Sequence, residues 1–234
     1  MLQAGGLPDR QIIHYLYLRS FLPAFPLNDT LRKPFLFYYN NAKKNRNRFN
    51  KMMQGMIALI CYRNRDTAEA GRIIASLRQN ALYSDELGMY WKEFNSPGLF
   101  WDEEPIRSHA LLMDAFHEIT KDASLENKMR TWLIRQKETQ QWSTSAGTAE
   151  ACRTLLRDPG ILMKDATDLT VKFGTTVIRP KPIEAGTGFT RITIPGNRVS
   201  STMAEVDIHL SDKTDTAAPT PWGALYWQYM EDLD

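Results

Sequence analysis

The sequence predicts an α+β chain of two successive parts, an array of helical hairpins over residues 1–160 followed by an antiparallel β domain over residues 161–234. Three observations predict it. Up to residue 160 the apolar side chains recur at three- and four-residue steps, and beyond it they alternate. Asp158-Pro159-Gly160 stands at the change as a helix stop.

The spacing predicts seven helices. The first follows Pro8 and Asp9, with Ile12, Ile13, Leu16, Tyr17 and Phe21 as its buried stripe, and Pro23 and Pro26 end it. A second starts at Asn28-Asp29-Thr30, residues that cap well, and carries Phe35, Tyr38, Tyr39 and Ala42. The third runs through Met52, Met53, Met56, Ile57, Leu59 and Ile60. A fourth opens at Asp66 or Thr67 with Glu69 in capping-box position and holds Ala70, Ile73, Ile74 and Leu77. Residues 88–102 form an aromatic connection suited to a short hairpin. Glu104-Pro105 opens the fifth helix, with proline in the first turn. The sixth runs from Ser124 through Met129, Trp132 and Leu133, and the seventh follows Thr144-Ser145 through Ala149, Cys152, Leu155 and Leu156. Short joints between helices of three or four turns favour antiparallel neighbours.

Past residue 160, strands are expected at Leu169–Phe173, Phe189–Ile194, Ala204–Leu210 and Leu225–Tyr229, enough for part of a sandwich. Glycines 186, 188 and 196 and prolines 180, 182, 195, 219 and 221 punctuate them.

The chemistry-bearing residues suggest no catalytic set, cofactor or metal site. A net charge of +2 is too small to argue for nucleic acid, and the basic run Lys43–Arg48 reads as a solvated helix end. His109 and His117 are eight apart and about 80° out of line on a helix, where metal ligands prefer i and i+4. Cys61 and Cys152 sit in apolar helical settings and read as two buried free thiols; a disulfide between them is the other reading. Asp85-Glu86 and Glu103-Glu104 flank the aromatic connection. With Trp91 and Trp101 they fit an acidic sugar cleft on one reading, and a turn and a helix N-terminus on the other. Met89-Tyr90-Trp91 and the phrase from Trp222 to Tyr229 read either as packing or as an exposed recognition patch. No apolar stretch reaches the length of a membrane span, and no signal peptide is legible at Met1–Gly6.

Five phrases resemble the alpha-2-macroglobulin family, in particular its large Bacteroidetes-type members. They are Tyr15–Ser20, Glu86–Lys92, Lys128–Leu133, Gln140–Ala151 and Trp222–Tyr229. The resemblance implies that the helices belong to an α/α toroid, here the second half of the ring. The strands would belong to an incomplete β-sandwich of macroglobulin or CUB-like type. It assigns structural roles: Gln140, Trp142, Ser143, Thr144 and Thr148 would position the last helix, and Trp222, Gly223, Tyr226 and Trp227 would build the β core. Members with a reactive thioester carry Cys-x-Glu-Gln; Cys61-Tyr62-Arg63-Asn64 and Cys152-Arg153-Thr154-Leu155 do not match it.

The function so implied is that of a parent protein at the bacterial envelope, periplasmic, outer-membrane-associated or extracellular. It inhibits endopeptidases by trapping them, and this chain is a non-catalytic fragment of it. Its expected partners are the parent's other domains and, through the parent, proteases, with neither nucleic acid nor membrane insertion of this segment. A secretion signal is then expected upstream of Met1. The alternatives are a carbohydrate-active enzyme on an α/α toroid and a pure interaction scaffold.

Overall fold

A computed structural model describes residues 8–95, 104–138, 142, 144–157, 169–179 and 191–210. It divides into two compact units, one up to Leu155 and one from Leu156 onward. The described residues are mostly helical, with two small antiparallel sheets.

The helices begin where their capping residues stand. Asp9 accepts the amide of Ile12 at 2.8 Å and starts α1 (Arg10–Arg19). Asn28 accepts from Leu31 at 3.0 Å for α2 (Asp29–Lys44), and Asn50 from Met53 at 2.8 Å for α3 (Lys51–Arg63). Asp66 accepts from Glu69 at 3.4 Å for α4 (Thr67–Gln79), but the Glu69 carboxylate bonds outward to Arg46 and Arg72, both at 2.9 Å. Next come α5 (Pro105–Thr120), α6 (Ala123–Glu138) and α7 (Ser145–Leu155). The basic run closes α2 and continues as a single 3-10 turn, Arg46–Arg48.

Centrally placed α3 is buried on all sides from Met52 to Cys61, as expected of a helix apolar all round. It packs against α1, α4 and α5, and α5 in turn packs against α6 and α7. Gly55 lets α3 approach α5 closely: a Cβ there would stand 2.7 Å from Leu112 Cδ2. One core runs through this unit, from Ile13 and Leu16 to Trp132, Leu133 and Trp142.

The hairpin between α4 and α5 pairs β1 (Leu82–Ser84) with β2 (Gly88–Tyr90), earlier in the chain than the aromatic spacing suggests. Ser84 Oγ accepts the amides of Glu86 and Leu87 and folds the turn, so Asp85-Glu86 takes the turn reading. Gly88, at φ +75°, lets β2 lie on α6: a Cβ would meet the Lys128 carbonyl oxygen at 2.1 Å.

In the second unit, β3 (Leu169–Phe173) is the middle strand between β4 (Thr176–Ile178) and β5 (Val206–Leu210), antiparallel to both. Val171, Phe173 and Met203 form its small core. Residues 191–195 join no strand, although the alternation of Phe189–Ile194 predicts one. Alternation states only which face a residue prefers; a strand also needs a neighbour for its backbone groups, and Pro195 has no N–H to give. The Leu225–Tyr229 expectation and Asp158-Pro159-Gly160 lie outside the described residues.

Candidate functional site

Three of the residues that the family phrase singles out, Trp142, Thr144 and Thr148, are described at or just before the start of α7. Thr144 Oγ1 accepts the Gly147 amide at 2.9 Å, capping the helix. Thr148 donates its hydroxyl to the Thr144 carbonyl, also at 2.9 Å. Trp142 is buried, its indole N–H donating to the Leu133 carbonyl at 3.3 Å, with the Lys137 ammonium 5.5 Å from its ring. Gln140 and Ser143 lie outside the described residues, as do Trp222, Gly223, Tyr226 and Trp227.

Beside this start lies Glu104, the N-cap of α5. Glu104 is buried; its Oε1 accepts from the Ile106 amide at 3.1 Å and its Oε2 from Arg107 at 2.9 Å, at a helix N-terminus, whose dipole favours an acidic side chain. A Cβ on Gly147 would stand 2.5 Å from that Oε2. The carboxylate that caps α5 therefore also lies close against the first turn of α7.

Of the residues of the sugar-cleft reading, Trp91 is placed differently from what it needs. Trp91 is fully buried and donates its indole N–H to the Leu77 carbonyl at 2.9 Å. It faces the core, where no sugar reaches it, and Met89 is equally buried, so this phrase is packing and not a patch. Trp101 and Glu103 lie outside the described residues.

Three histidines have local bonds. His109 is fully buried among Trp91, Phe94 and Trp132, its ring centroid 4.3 Å from that of Trp132. Its Nε2 lies 2.9 Å from the Met129 carbonyl, which can only accept, so Nε2 carries the proton. Burial pushes its pKa down to about 4, so it is neutral at pH 7. His117 Nδ1 meets Glu126 at 2.9 Å, and His14 Nδ1 meets the Arg10 carbonyl at 2.8 Å. No group of three potential metal ligands occurs among the described residues.

Charges inside the helical unit act as pins. Arg63 holds Glu118 with two bonds of 2.9 and 2.7 Å, donates to Ser20 Oγ, and lies 3.9 Å from the Phe21 ring centroid. Lys43 bonds Asp66 at 2.8 Å and so holds that carboxyl below its ordinary range. Both cysteines are free. Cys61 is buried, and burial pushes its thiol up to about 11. Cys152, expected inside, is exposed on the outer side of α7.

The conspicuous surface feature lies on α1 and α2. Between them runs a cleft of about 370 Å³ lined by Ile12, Tyr15, Leu16, Leu31, Phe35 and Tyr38 together with polar Asp9 and Gln11 and with Pro34. On these two helices and the segment between them, Leu18 (59% exposed) and Phe25 (65%) stand in solvent, and Phe21, Leu22, Leu36 and Phe37 are partly exposed, Phe21 resting on Tyr17 and Arg63. At 100° per residue Tyr15 and Leu18 point roughly 140–200° away from the buried Ile13, where a surface helix is normally polar. The inward stripe was the feature read from sequence; the signal missed was that Ile12 to Leu18 is apolar on nearly every side of α1, His14 excepted.

Comparison with protein-family models, with curated proteins and with solved structures gave no match.

Proposed function

We propose that this chain acts by binding rather than by chemistry, as a helical docking module of an alpha-2-macroglobulin-like protein at the bacterial envelope. On this reading the helices are part of an α/α toroid and the β unit is part of a macroglobulin or CUB-like sandwich. The parent inhibits endopeptidases by trapping them, and its other domains are this chain's immediate partners.

The observation that carries the binding reading is the doubly apolar α1 with its exposed neighbours on α2. A helix apolar on both faces is stable in water when both are covered. Further support comes from Glu104, His109 and Trp91, each engaged by the fold. The family reading rests on the five ordered phrases, and the bonding of Trp142, Thr144 and Thr148 is of the kind that it assigns to them.

Amide hydrogen exchange tests the binding reading. The amides of α1 and α2 are expected to exchange more slowly in the full-length parent than in this chain alone; equal rates would remove it. Trapping has its own test: incubate the parent with an endoprotease and assay a protein and a small peptide substrate. Loss of protein cleavage with retained peptide cleavage is expected. Loss of neither leaves a scaffold without a protease.

A further inference from the structure

Resting on that binding reading, we propose that the outer face of α1 and α2 receives a helix of a partner protein, with apolar side chains along its centre and carboxylates on its flanks. The hairpin contributes the apolar half of this match. Its large side chains, about half exposed and each carrying roughly 150–250 Å², amount to an open apolar area on the order of 700 Å², close to one side of a standard protein interface. The cleft between two packed helices suits rows of side chains from a third helix.

Charge decides the flanks. From Asp9 to Lys44 the chain has six Lys or Arg residues (Arg10, Arg19, Arg32, Lys33, Lys43, Lys44) against two carboxylates, Asp9 and Asp29, and Lys43 is paired with Asp66, which leaves an excess of three. Lys33, Phe37, Asn40 and Lys44 follow at i, i+4, i+7 and i+11, which puts them on one exposed stripe of α2. Neither Lys33 nor Lys44 has an ion-pair partner among the described residues. They stand about 16 Å apart along the axis, three helical turns, the spacing of carboxylates eleven residues apart on a partner helix. A second copy of this chain would bring the same positive excess against itself, which disfavours self-pairing.

The probes are two labelled 18-residue helical peptides with one leucine seam, flanked by Glu in one and by Lys in the other. Their binding to the full chain is read by fluorescence anisotropy. The Glu peptide is expected to bind at least about ten-fold more tightly, with affinity falling as salt rises. The double variant Lys33→Glu/Lys44→Glu is expected to reverse the preference. Leu18→Glu, at an exposed position, is expected to abolish binding of the Glu peptide with an unchanged melting midpoint. Equal affinity for both peptides, or binding of neither, would overturn the inference. So would preferential binding to phosphatidylserine vesicles, or a dimer by sedimentation that Leu18→Glu dissociates. Slowed exchange of α1 and α2 in the parent, combined with failure of the Glu peptide, would sink the acidic helix and leave the binding reading standing.

Discussion

His109 sits fully buried against Trp132, bonded through Nε2 to the Met129 carbonyl, and burial holds its pKa at about 4 against an ordinary value near 6.5. Above pH 6.5 it is neutral in both the folded and the unfolded chain. Between pH 6.5 and 4 the unfolded chain takes up a proton that the folded one refuses, so stability falls as pH falls. The loss between pH 7 and 4.5 is about 2–3 kcal/mol from this residue. Urea unfolding at both values should show His109→Phe losing less than the wild type over that window; equal losses would clear His109 of the effect. Glu104 and Gly147 make a second residue-scale case. Glu104→Ala removes the α5 cap at about 1–2 kcal/mol. Gly147→Ala pushes a methyl group into that carboxylate. Once the carboxylate is gone the methyl group has room, so the double variant should cost less than the sum of the singles. Additivity in urea unfolding would mean that the two do not touch.

Elements in this protein start where the sequence says they do, because caps are local. Asp9, Asn28, Asn50, Asp66 and Glu104 each bond an amide two or three residues ahead; all but Asn50 stand at helix starts that the sequence predicts. Contacts between elements are less legible. Gly71 and Gly88 look alike in the sequence, yet a Cβ on Gly71 meets nothing within 4 Å, while one on Gly88 meets the Lys128 backbone and the residue has positive φ. Gly71→Ala should therefore stabilise by about 0.5–1 kcal/mol through helix propensity. Gly88→Ala should destabilise by more than about 2 kcal/mol, by strain and by lifting β2 off α6. Chemical denaturation measures both, and a harmless Gly88→Ala would refute the close approach.

For the molecule as a whole, the chain divides into two units between Leu155 and Leu156. The first unit's core runs from α1 to Trp142 and is large enough to stand alone; the described core of the second is Val171, Phe173 and Met203. A chain of residues 1–157 is expected to unfold in one cooperative thermal transition with helical circular dichroism. A broad, gradual melt would show that the first unit is not self-sufficient. At this scale the exposed face of α1 and α2 is also the place where the fold invites another body.

The sequence by itself determined the seven helices found among the described residues, the caps at Asn28 and Asp66 and the strands at Leu169–Phe173 and Val206–Leu210, because periodicity and capping act within four residues. Only the tertiary structure decided which large apolar residues are core: Trp91 and Met89 go inside, while Leu18, Phe25 and Phe37 stay outside. Cys61 and Cys152, set in similar phrases, part in the same way. Burial depends on which neighbours arrive from distant parts of the chain, and two residues with the same local spacing get different ones.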